Sequence, residues 1–235
     1  MSSRRSFLSS TPLTVALVAA ATIRPVYAAD PSDFDFSELS ALLKAPARHR
    51  QVFASNQLNA GAVLRYMMNA LNAYQFAYAE GPGTLHPVGI LYGSSVTLAL
   101  DDDIWKKYDI AGVVTGQYND KLERFSGEHP NGRNINPFAR PETQLDDNAG
   151  PTQRNSLSSS ETVEALVRRG AHFLICDNTL LGLPFLIGEA GYKASSSPDI
   201  YADLRKHLLP GTMVVPAGVA AINQAQEAGY TFFQT

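Results

Sequence analysis

One cysteine, Cys176, closes the apolar run in "FLICDNTLLG", Phe173–Gly182. A single thiol excludes an internal disulfide, and it excludes multi-cysteine zinc or iron–sulfur sites within one chain. Three roles remain: a reactive thiol, a bridge to another molecule, or an inert core residue. A thiol becomes reactive when a helix N-terminus or a nearby cation favours its anion. Cys176 ends a strand-like run just ahead of a helical segment, so the first of these conditions is within reach. Asp177 acts against it, because an adjacent carboxylate disfavours a second negative charge unless it is turned away. His172 is a poor base for the thiol. The two share a strand face, but four residues at ~3.3 Å each separate them by roughly 13 Å. His49, His86, His129 and His207 are scattered without ligand spacing, and nothing in the chain calls for a metal or a cofactor.

The elements that must position this thiol alternate along the chain. "RQVFAS", Arg50–Ser55, reads as a strand, and the helical period of Leu64, Met67, Met68, Leu71, Tyr74 and Tyr78 follows within Gly61–Ala79. Val88–Tyr92 is a continuous apolar run, expected of a strand covered on both faces. Ser94 or Ser95 is the expected cap of the helical stretch Ser95–Tyr108. After it come a helix in "SSSETVEALVRRG" with Ser159 as cap, the strand "AHFLIC", and a helical zone interrupted at Pro184. The helix "SPDIYADLRKHL", the strand "TMVVPAG", the helix "GVAAINQAQEAG" and the strand "YTFFQ" complete the order. Near the front, "FSELSALLK" makes an amphipathic turn or two with Ser37 as cap. Such alternation predicts a single three-layer α/β/α domain with a mostly parallel sheet of about five strands. Ligands of such sheets bind beyond the carboxyl ends of the strands. Those ends are Ser55-Asn56, Tyr92-Gly93-Ser94, Cys176-Asp177-Asn178 and Pro216-Ala217.

Residues 116–158 break the rhythm with Pro130, Pro137, Pro141, an Asn131-Gly132 pair and little apolar periodicity. An insertion this long is functional or disordered more often than not. Phe125 and Phe138, interleaved with Arg124, Arg133, Arg140 and Arg154, suggest an arm laid on something such as a neighbouring subunit; a floppy loop is the other reading.

The first 28 residues have the layout of a twin-arginine export signal: Arg4-Arg5 before Phe7-Leu8, an apolar stretch from Pro12 to Ile23, and "VYA" ahead of "AD". The stretch is too short and interrupted to span a bilayer, so cleavage near Ala28 and a periplasmic product without a membrane anchor are expected. Residues 29–49 then form a lead-in and 50–235 the domain. Cleavage removes Arg4, Arg5 and Arg24, taking Lys plus Arg from 19 to 16 against 22 acids, a net charge of −6. That balance gives no sign of nucleic-acid binding.

"ETVEALVRRGAHFLICDNTLLGL" followed by "DLRKHLLPGTMVVPAGVAAINQAQEAGYTFFQ" resembles the DsrE/DsrF-like proteins of sulfur metabolism. The front half is similar more loosely, through "LRYMMNALNAY" and "VGILYGSSVTLAL", and the insertion departs from the pattern. The resemblance implies a compact α/β/α domain, homo-oligomers, and a cysteine that carries sulfur as a persulfide between a donor and an acceptor protein. Cys176 occupies the matching place. Around it, backbone amides near Asn178 and Thr179 are expected to stabilise the charge, and Asn56, Gly93 and Ser94 to line a pocket. The alternative is a non-catalytic binding or assembly module of the same fold with a buried, inert Cys176.

Overall fold

The structure, a computed structural model, describes residues 30–117, 135–140, 160–189 and 197–235. Residues 1–29, which hold the expected export signal, lie outside the described residues, as does most of the 116–158 insertion. Five strands form one sheet: β1 (His49–Ser55), β2 (Leu85–Leu91), β3 (His172–Cys176), β4 (Thr212–Val215) and β5 (Thr231–Gln234). Their order is β4-β3-β2-β1-β5, and every neighbouring pair is parallel. The chain is a single-domain three-layer α/β/α fold, as the alternation predicts.

Eight α-helices flank the sheet among the described residues: α1 (Phe36–Leu43), α2 (Ala62–Asn72), α3 (Asp102–Lys107), α4 (Ile110–Gln117), α5 (Val163–Arg168), α6 (Asp177–Glu189), α7 (Ser197–Lys206) and α8 (Gly218–Glu227). Strand side chains alternate between faces, so each face feeds its own core. Phe53, Leu85, Phe173 and Ile175 pack with Leu64 and Met67 of α2, Trp105 of α3, Leu166 of α5, Leu180 of α6 and Leu204 of α7. Val52, Val88, Ile90, Leu174 and Val215 pack instead with Leu39 and Leu43 of α1 and with Ala221 and Ala225 of α8. Gly89 keeps β2 flat against its neighbour, because a Cβ there would lie 2.6 Å from the Phe173 ring.

Several local expectations need correction. The cap of α1 is Asp35, whose Oδ1 accepts from Glu38 N–H at 2.8 Å, while Ser37 only bonds to that same carboxylate. Thr162 caps α5 by accepting from Ala165 N–H at 3.2 Å; Ser159 lies outside the described residues. The expected helix over Ser95–Tyr108 is a 3-10 turn over Gly93–Ala99 followed by α3, which Asp101 caps. Helix α6 runs through Pro184 instead of breaking there. Proline removes one helical hydrogen bond; the burial of Leu180, Leu183 and Ile187 on either side offsets that loss. Helix α2 continues into a π turn, Ala73–Ala77, which its apolar period does not signal.

The described part of the insertion lies on the molecule's own core. Phe138 is buried against Gly61, and Asn136 is fully buried. Arg140 pairs with Asp102. Among the described residues no helix is long and apolar enough to cross a membrane.

Candidate functional site

The chain leaves β1, β2 and β3 toward the α2–α7 layer, but leaves β4 toward the α8 layer. At β3 and β4 the outgoing connections therefore take opposite faces of the sheet, while the strand order itself reverses between β1 and β5. Cys176 is the last residue of β3 and pairs in register with Val215, the last residue of β4. The only cysteine thus stands at the carboxyl end of β3, beside a strand whose outgoing connection takes the other face.

Two helices begin at this place. Helix α6 starts at Asp177, directly after the thiol, and α8 starts at Gly218 without a side-chain cap. Helix N-termini carry partial positive charge and favour an anion. Gly218 comes so close that a Cβ on it would lie 3.4 Å from the Cys176 Cβ and 3.0 Å from that of Tyr92. Tyr92 closes the other wall. Burial raises its hydroxyl above the ordinary tyrosine range, and the charge of the Cys176 thiolate adds to the shift. The Tyr92 hydroxyl accepts from Gln234 Nε2 at 3.4 Å, which ties the wall to the end of β5. Cys176 itself is 6% exposed.

Asp177 does not face the thiol. Its Oδ1 accepts from the Tyr201 hydroxyl of α7 at 2.8 Å, with the Arg205 guanidinium 3.5 Å away. The carboxyl is wholly buried, its Oδ2 has no hydrogen-bond partner among the described residues, and burial raises its pKa above the usual carboxylate value. The adjacent carboxylate is therefore turned away and biased toward its neutral form.

The other sequence-derived candidates gather at the same end of the sheet, but most hold one another. Gly93 has φ +57°, and a Cβ there would overlap the Asn56 carbonyl oxygen. That carbonyl accepts from Ser94 N–H at 3.1 Å, and Ser94 Oγ, fully buried, accepts from Leu58 N–H at 2.8 Å. Asn56, Gly93 and Ser94 thus lock the ends of β1 and β2 together, while the Asn56 side chain is exposed. Thr179 Oγ1 accepts from Gly93 N–H at 3.1 Å, joining this lock to the first turn of α6. The Asn178 amide, expected to stabilise a thiolate, donates to the Pro216 carbonyl at 3.3 Å and is spent there. The residues missed by sequence reasoning are Tyr92 and Gly218. Tyr92 belongs to a strand end read from the sequence and Gly218 directly follows another, Pro216-Ala217, but only the folded structure shows that they meet.

No protein-family model matches the chain, and no curated protein matches it. Among solved structures, that of a protein of unknown function from Methanobacterium thermoautotrophicum is similar over 80% of this chain and 99% of its own, at 17% identity and a TM-score of 0.35. This likeness says nothing about the site.

Proposed function

We propose that the chain is an exported, DsrE-like sulfur carrier in which Cys176 accepts a sulfane sulfur and passes it to a partner. The observation that carries this reading is the position of the lone thiol, at the carboxyl end of β3 between the first turns of α6 and α8. The resemblance of the β3–β5 half to the DsrE/DsrF-like proteins supports it, and the twin-arginine layout of residues 1–28 supports a periplasmic place of work. On this reading the carrier forms homo-oligomers and exchanges sulfur with a donor and an acceptor protein.

The transfer needs no base triad. The Cys176 thiolate attacks the terminal sulfur of a polysulfide. A Cys–S–S bond forms as the donor's S–S bond breaks, and the electron pair leaves on the shortened polysulfide. An acceptor thiolate then attacks the outer sulfur of the persulfide, forming its own persulfide and returning Cys176 as thiolate.

The 6% exposure of Cys176 favours a second reading, a non-catalytic binding module with an inert core thiol. Intact mass after exposure to polysulfide, beside Cys176→Ser, separates the two. The carrier gains one reducible sulfur on the wild type alone. No gain, with Cys176 silent to alkylation until the protein is unfolded, leaves the binding module.

A further inference from the structure

A second cavity lies at the opposite end of the sheet. Its volume is about 280 Å³, and its walls include Leu71, Tyr74, Pro82, Leu85, Arg168 and Arg169. Leu85 begins β2 and Leu91 ends it, so six residues at ~3.3 Å put roughly 20 Å between this cavity and the end of the sheet that holds Cys176. The volume is just under the range of about 300–1,000 Å³ found for small-molecule sites.

Arg169 is the unusual group in it. Its side chain is partly buried, and withdrawal from water lowers its pKa. A guanidinium taken from water is costly unless an anion compensates it. Among the described residues the polar partner of this guanidinium is neutral: Nη2 donates to Gln75 Oε1 at 3.1 Å. Its neighbours do not supply the missing charge. Glu164 pairs with Arg168, and Glu80, next to the cavity turn, is taken up by His49 at 2.8 Å and Arg48 at 3.4 Å. A basic residue at a helix C-terminus often serves the last carbonyls, but this side chain reaches across to Gln75 instead.

The surrounding backbone is shaped away from regular structure. Tyr74 and Gln75 sit in the π turn Ala73–Ala77, a form that recurs at functional sites. The turn after it holds positive φ at Ala79 (55°), Gly81 (86°) and Gly83 (79°), and a Cβ on either glycine would meet open space. The Tyr74 ring is held in place by stacking on His49, with centroids 4.3 Å apart.

We propose that this cavity binds a small organic carboxylate, its head on Arg169 and its apolar body between Tyr74, Pro82, Leu71 and Leu85. The planar guanidinium fork matches a carboxylate in two parallel hydrogen bonds. The apolar walls give a hydrocarbon body a place that inorganic phosphate would leave empty. The site is independent of the sulfur-carrier reading and stands or falls without it.

The test is a titration of the purified protein with benzoate, and separately with inorganic phosphate, followed by amide NMR shifts. Benzoate is expected to give saturable shifts centred on residues 81–85 and 168–169. Arg169→Gln should weaken it about tenfold to a hundredfold, the value of one charge-assisted bond. The proposal is overturned if benzoate gives no saturable shift, if its shifts map elsewhere, if phosphate binds there and benzoate does not, or if a folded Arg169→Gln binds unchanged. The mapping on the wild type decides the matter should that variant fail to fold.

Discussion

At Cys176 the chemistry is limited by access. Gly218 bears on that access because a side chain there would crowd the Cys176 Cβ. Its φ is not in the left-handed region, so alanine suits the backbone there. The added methyl would press on Tyr92 at 3.0 Å and on Cys176 at 3.4 Å, tight enough that Tyr92 must give a little. Gly218→Ala should therefore fold, lose about 1 kcal/mol from overpacking, and slow alkylation of Cys176 several-fold. Iodoacetamide labelling of the folded protein, with unfolding measured in urea alongside, checks both effects. An unchanged labelling rate would mean that the sulfur is reached by another path. The place of Cys176 at a strand end was legible because a buried parallel strand reads as an unbroken apolar run, and "FLIC" is one. Tyr92 and Gly218 were not legible as its walls, because no local pattern tells which strand ends are neighbours.

Strands and helices carry their own signals, whereas their ends depend on single hydrogen bonds. The periodic residues Leu64, Met67, Met68 and Leu71 do form one buried face of α2. The cap of α1 was misjudged because aspartate and serine stand two residues apart and both can cap; Asp35 takes the amide and Ser37 binds Asp35. Most of the insertion lies outside the described residues, and its two readings stay open for that part. Low apolar content hides its described segment, residues 135–140, which docks on the core through the hydrogen bonds of one asparagine. Asn136 Nδ2 donates to the carbonyls of Leu98 at 2.9 Å and Leu100 at 2.6 Å, and Oδ1 accepts from Phe138 N–H at 2.9 Å. The segment's own carbonyls in turn receive Val163 and Glu164 at the start of α5. Asn136→Ala leaves buried carbonyls unpaired and should cost roughly 2–4 kcal/mol. Urea unfolding measures it; a loss under about 1 kcal/mol would mean that water replaces the side chain and the segment is not a structural part of the domain.

The α1/α8 layer meets the sheet at its amino end through a half-buried histidine pair, which is expected to make the fold sensitive to acid. His86 of β2 and His172 of β3 lie with ring centroids 5.1 Å apart. His86 Nδ1 meets the Tyr230 hydroxyl at 2.7 Å, and that hydroxyl lies 3.5 Å from the Leu42 carbonyl of α1. Arg50 of β1 donates to the Ala228 carbonyl beside them, so α1, the sheet and the end of α8 converge here. Burial first, then the charges of His172 and Arg50, push the pKa of His86 down from 6.5 to about 4. Burial also lowers His172, with Glu38 of α1 acting in the opposite sense. Above pH 6.5 His86 is neutral in the folded and unfolded chain alike, and it costs nothing. As pH falls from 6.5 to about 4 the unfolded chain takes up a proton that the folded chain refuses, so stability declines across that window and the loss is complete below it. The full shift corresponds to about 3 kcal/mol; for a half-buried ring screened by solvent, about 1–2 kcal/mol is expected. His86→Asn places a side-chain amide near the position of Nδ1, able to donate to or accept from the Tyr230 hydroxyl, and removes the titration. Urea unfolding at steps between pH 7 and pH 4 should show the wild type falling about 1–2 kcal/mol further than His86→Asn. Parallel curves for the two proteins would mean that His86 takes its proton in the folded state as readily as in the unfolded one, and that acid reaches the fold through other groups.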